Sequence, residues 1–169
     1  AEWLREAGWR IAFAVGKETV PTVPALAASG FRVCVLNDEQ TEPEALREQA
    51  SVRADLLVVD HYKRDVTFET SCRSFANKIL VLDDATGRNH DCDIVVDAAA
   101  SNEECYAGHV PAHARVLTGL SYALVRRSFI AHREMSLARR YGRPVQEILV
   151  SCGATDPGNA TAAALEVLD

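Results

Sequence analysis

No apolar run in this chain approaches the roughly 20 residues that a bilayer-spanning helix needs, and no secretory signal pattern is present. Positive charge is scarce too: 18 Lys and Arg stand against 24 Asp and Glu, a formal net charge of −6. A nucleic-acid partner would need a concentrated basic surface, so that class of function is disfavoured. The five cysteines (Cys34, Cys72, Cys92, Cys105, Cys152) are an odd set without C-x-x-C spacing, and a reduced, cytoplasmic compartment is their simplest reading. There is no G-x-S-x-G elbow and no Ser-His-Asp order, so nucleophile-based hydrolysis gains nothing from the sequence. No repeat period or low-complexity stretch is found. A chain of 169 residues suffices for one good core, or for one domain and part of another.

What is present is an alternation of short apolar runs and helical patterns. Residues 1–7 read as the last turns of a helix stopped at Gly8. Arg10–Val15 is a strand, and Thr19–Ser29 a helix with Pro21 and Pro24 in or before its first turn. Phe31–Leu36 is the next strand and Glu42–Arg53 a surface helix. Leu56–Val59 runs without polar alternation into Asp60, which predicts a strand buried on both faces of a parallel sheet. A helix over Val66–Ala76 and strands over Lys78–Leu82 and Asp91–Asp97 follow. This succession predicts βαβ units and a Rossmann-type parallel sheet. Beyond Ala98 the chain turns small and polar, then gives a short strand at Arg115–Thr118 and an arginine-rich helix over Tyr122–Tyr141. Glu147–Ser151 reads as a strand that opens a second α/β domain. The expected organisation is a first domain over 1–118, a linker helix over 119–144 and the start of a second domain over 145–169. Both ends fall within helical patterns, which suggests a piece of a longer protein.

Three stretches could carry chemistry. Asp60, His61 and Tyr62 follow the Leu56–Val59 strand at its carboxyl end, where open α/β sheets hold their ligands. A tyrosine there can bond a sugar or phosphate oxygen and a histidine can move protons, whereas the bland reading has Asp60 capping the next helix and Tyr62 packing on it. CGATDPGN (152–159) puts small residues after a strand, with Asp156 able to cap the helix that follows and Pro157 suited to its first position. That loop has no G-K-[ST], so phosphate binding and a well-capped tight turn both stay open. Asp83, Asp84, His90, Asp91 and Asp93 form an acidic cluster whose spacing matches no metal loop, and no metal is expected there. Cys105, His109 and His113 recur every four residues, but Pro111 breaks the helix that would align them, and no zinc site is expected.

Taken together, VDHYKRD (59–65), KILVLDD (78–84), HDCDIVVD (90–97), YAGHVP (106–111), GLSYALVRRSF (119–129) and SCGATDPGN (151–159) resemble the UDP-sugar hydrolases of pseudaminic acid biosynthesis. These look like relatives of the GT-B glycosyltransferases that add N-acetylglucosamine to the cell-wall lipid precursor. The resemblance runs from about Trp9 to the end. It implies a GT-B-like α/β protein of two domains. The implied reaction is release of UDP from UDP-2,4-diacetamido-2,4,6-trideoxy-β-L-altrose, by inverting attack of water at the anomeric carbon without metal or cofactor. By position, Tyr62 would line the sugar site. Gly153, Thr155, Asp156 and Asn159 would meet nucleotide or sugar from the second domain.

The chain departs from the family pattern at Ala154, where a glycine is usual, at Ala98 and Ala99, where polar residues are expected, and at Arg127 and Ser128. The family's first strand and its G-x-G-H-x-x-R loop, with the histidine proposed as base, would precede Ala1. The uridine-binding half of the second domain would follow Asp169. Negligible turnover is therefore expected from these 169 residues alone. A glycosyltransferase using a UDP-sugar donor and a non-catalytic sugar-nucleotide-binding module are the alternatives, and the alanines at 98, 99 and 154 favour the second of these.

Overall fold

Valine- and leucine-rich runs bracketed by turn residues become strands here, and the turn residues set where each begins. The structure, a computed structural model, describes residues 1–36, 42–50, 53–142, 144–152, 156 and 158–168. In chain order the first unit holds α1 (Glu2–Glu6), β1 (Ala12–Gly16), α2 (Thr19–Thr22), α3 (Pro24–Ala27), β2 (Arg32–Leu36), α4 (Glu42–Gln49), β3 (Ala54–Val59), α5 (Val66–Cys72), β4 (Ala76–Leu82), β5 (Ile94–Asp97) and β6 (Arg115–Thr118). Short 3₁₀ turns occupy Glu103–Tyr106 and Leu120–Tyr122. The second unit carries α6 (Arg127–Arg140) and α7 (Ala160–Leu168). The compact units are Ala1–Leu124 and Val125–Asp169.

Among the described residues every strand pairing is parallel, and the alternation of strands with helices is a Rossmann-like α/β fold. β1 and β2 pair with each other, and β3-β4-β5-β6 form a second sheet in that order. Register places Val59 beside Val81, Val81 beside Val95 and Val95 beside Val116, one continuous row across the larger sheet. That row, with Ile79, Cys72, Cys92, Phe75 and Tyr106, is the core. A fully buried side chain the size of Ile79 contributes about 1.5–3 kcal/mol over leaving it in water. The smaller sheet has no buried residue. It is held by an edge-on contact of Phe13 with Phe31 at 5.4 Å and by the Arg5 guanidinium over the Phe31 ring at 4.4 Å.

Several boundaries differ from expectation. The helix over 19–29 is two four-residue pieces, because Pro24 holds Val23 at φ −124°, ψ 72°, outside the helical region, and begins a new turn itself. β3 is not buried on both faces: Val59 is 5 % exposed but Val58 is 47 % exposed. α5 ends at Cys72 and Ala76 already belongs to β4. The arginine-rich helix starts at Arg127 rather than Tyr122, with Tyr122 in a 3₁₀ turn that closes on Gly119. Residues 147–151 form no strand. A strand is stabilised by its ladder partner, and none pairs with this segment among the described residues.

Candidate functional site

β3 and β4 are parallel neighbours in register, so the residues that follow them emerge at the same sheet edge. Asp60, His61 and Tyr62 come off β3, and Asp83 and Asp84 come off β4. With Leu82 and Arg88 they line an open hollow of about 140 Å³. The Tyr62 phenol donates to Asp84 Oδ2 at 2.8 Å and remains 72 % exposed, so it stands at the lip and is not packed on a helix. The Asp84 hydrogen bond and charge, followed by burial and the charges of Asp60 and Asp83, raise its pKa. Tyr62 therefore keeps its proton at neutral pH and acts as a donor. His61 Nδ1 accepts from the Lys63 amide at 3.0 Å, so a neutral His61 carries its proton on Nε2. The cap of α5 is Asp65 and not Asp60: Asp65 Oδ1 accepts from the amides of Thr67 and Phe68 at 3.0 and 3.2 Å.

Beneath the hollow lies a buried polar chain. Asp83 Oδ1 takes the Arg88 guanidinium at 3.0 Å, while Asp83 Oδ2 meets His90 Nε2 at 3.3 Å and accepts from the Tyr106 hydroxyl at 3.0 Å. His90 Nδ1 contacts Glu69 Oε1 at 2.8 Å, and the other Glu69 oxygen accepts from the Asp91 amide. The Tyr106 hydroxyl also lies 2.9 Å from Asp97 Oδ2, and Asp97 Oδ1 ties down the amides of Ala99 and Ala100. Burial alone would keep His90 neutral, but the bonds and charges of Glu69 and Asp83 outweigh it and raise the imidazole pKa. Burial, then Asp97 and Asp83, push the Tyr106 phenol far above its ordinary value. None of these partnerships was visible in the sequence except that Glu69 stands three residues before Cys72, on the apolar side of its helix.

The acidic residues after β4 are engaged by the protein itself. Arg73 spans Asp91 and Asp93, Lys78 reaches Asp93 Oδ1 at 2.7 Å, and Thr70 donates to Asp91. Burial opposes ionisation of Asp93, but Lys78, Arg73 and the Ile79 amide hold its pKa well below the usual range. Among the described residues no group of three His, Cys, Asp or Glu side chains is arranged to hold a metal ion. His109 Nδ1 pairs with Asn89 Oδ1 at 2.9 Å, and His113 lies 3.9 Å from Asp93, so the Cys105, His109, His113 series converges on nothing.

In the second unit, Asp156 caps α7: Oδ1 accepts from the Ala160 amide at 2.9 Å and Oδ2 from the Thr161 amide at 3.0 Å. The Thr161 hydroxyl and amide, then the Ala160 amide, lower the Asp156 pKa. Asp156 and Asn159 both adopt positive φ, +36° and +50°, conformations that Asp and Asn tolerate better than most residues. Gly153, Thr155 and Pro157 lie outside the described residues.

Comparison with known proteins adds two relatives. An uncharacterized protein of Methanocaldococcus jannaschii is 23% identical over 155 residues, 90% of this chain and 31% of that protein. A UDP-2,4-diacetamido-2,4,6-trideoxy-beta-L-altropyranose hydrolase of Campylobacter jejuni is 32% identical over 107 residues, 62% of this chain and 37% of the hydrolase. The chain thus spans about a third of the length of the curated relatives it matches. No family model matches it.

Proposed function

We propose that this protein acts on a nucleotide sugar, hydrolysing a UDP-linked 2,4-diacetamido-2,4,6-trideoxy sugar to the free sugar and UDP. The partial likeness to the Campylobacter jejuni hydrolase supports the substrate class. The observation that carries the reading is the Tyr62–Asp84 pair at the shared mouth of β3 and β4, an exposed phenol hydrogen-bonded to a carboxylate at the lip of the hollow. Three carboxylates line the hollow against one guanidinium, and that guanidinium is already bonded to protein. Such a surface suits the hydroxyl and amide groups of an uncharged sugar better than a diphosphate.

In this reading Tyr62 orients the sugar, and water attacks the anomeric carbon as UDP leaves, with inversion and without a metal. Gly153, Thr155, Asp156 and Asn159 are proposed, on the resemblance alone, as nucleotide or sugar contacts. Calorimetric titration tests the binding directly. The UDP-sugar is expected to bind, and Tyr62→Phe, which removes one hydrogen bond, to weaken it about three- to tenfold. Equal affinity for the variant would remove Tyr62 from the site. No binding by the unaltered protein would end the nucleotide-sugar reading.

A further inference from the structure

An arginine in the wall of a polar hollow first suggests a ligand for phosphate. Arg88 does not fit that part. Its Nη2 donates to the carbonyl oxygens of Tyr62 and Arg64 at 2.9 and 2.7 Å, and its Nη1 to Asp83 Oδ1 at 3.0 Å. Three of the five N–H donors of the guanidinium fork are thus directed at the protein, both hydrogens of Nη2 among them. The two carbonyls flank Lys63, so one planar group holds the peptide units on either side of the turn that presents Tyr62. A lysine, with a point charge on a flexible stem, cannot reproduce that fork.

The anchor of the fork is itself immobile. The Asp83 carboxylate is buried, and its second oxygen is gripped by His90 and Tyr106. His90 in turn is held by Glu69 on α5. Tyr62 has no comparable support of its own: it is exposed and its side chain is tied to Asp84. The other ties of the 60–64 turn are local amide bonds of Lys63 and Arg64 to His61 and the Arg64 side chain, which pairs with Glu42 on α4 and lies over Phe68; the Arg88 fork binds the backbone carbonyls of this turn to the buried Asp83.

We propose that Arg88 is a positioning residue, one that locks the 62–64 backbone to the buried Asp83 carboxylate and thereby fixes where the Tyr62 phenol stands. Its ligand-binding consequence rests on the nucleotide-sugar reading above; its structural consequence does not. The experiment has two arms for that reason. Amide hydrogen exchange is compared in the unaltered protein, Arg88→Met and Arg88→Lys. Exchange at Lys63, Arg64 and Asp65 is expected to accelerate about tenfold or more in Arg88→Met, with Val81 and Val95 changing less than about twofold. Unchanged exchange at 63–65, or the same acceleration throughout the sheet, would overturn the proposal. Should Arg88→Met fail to fold, Arg88→Lys carries the same comparison, with an expected local acceleration of about threefold or more.

The second arm titrates each protein with the UDP-sugar. Arg88→Lys is expected to lose as much affinity as Arg88→Met, since the charge stays and the fork goes. Affinity restored by lysine would make Arg88 a charge contact to the ligand and would also overturn the proposal. If the unaltered protein binds no UDP-sugar, the functional reading fails while the exchange comparison still decides the role of Arg88.

Discussion

His90 is the residue with most leverage per atom, since its two ring nitrogens face two buried carboxylates, Glu69 and Asp83. Folding raises its pKa, so the folded state favours the charged ring. The stabilisation is therefore complete below the ordinary histidine value of about 6.5 and is lost as pH rises through the raised folded value. Thermal melts should show the midpoint falling as pH rises above about 6.5, and His90→Gln should remove that slope. At pH 6 the same substitution should cost about 3–5 kcal/mol, because it leaves the buried Glu69 carboxylate without its cation while Asp83 keeps Arg88. A variant that keeps the slope would place the titration elsewhere. Little of this was legible beforehand. Tyr62 could be picked out because a strand end needs only local sequence to recognise, whereas Glu69 and His90 are 21 residues apart and meet only when α5 and the loop before β5 come together. In sequence His90 stands out only as part of an acidic cluster, and nothing local marks Arg88 or Tyr106.

At the scale of elements, local chemistry predicted best where it met no competitor. The strand over Arg115–Thr118 and the core of β4 follow directly from apolar β-branched runs. The 19–29 helix broke because a single proline outweighed the helix-forming alanines around it. The segment 147–151 has the composition of a strand and is not one, since a ladder needs a partner that composition cannot supply. α5 is a short element whose start depends on Asp65 receiving two amide hydrogen bonds. Asp65→Ala should lower stability by about 1 kcal/mol in a urea titration with little change in slope. A loss under about 0.3 kcal/mol would show that packing of Phe68 and Cys72, rather than the cap, holds α5 in place.

Across the whole molecule, order is distributed unevenly. The larger sheet owns the buried core, while β1 and β2 are a two-stranded pair with no buried side chain, and pairs of that kind are marginal in water. Amides of Phe13–Val15 and Val33–Val35 are expected to exchange about a hundredfold faster than those of Ile79–Val81. Equal protection would mean that the two sheets open as one cooperative unit. The parallel α/β class was legible because strands and helices alternate over most of the chain. The division into two sheets was not, because each strand reads alike in sequence whether or not its neighbour pairs with it.

The thiols follow the same gradient. Cys72 and Cys92 are sealed in the core, where burial pushes both up to about 12, while Cys152 is exposed in the second unit. A maleimide dye at neutral pH would therefore mark Cys152 first and leave the interior pair untouched until the larger sheet opens. That one chemical difference gives the experimenter a fluorescent handle next in sequence to Gly153, together with a built-in alarm for unfolding.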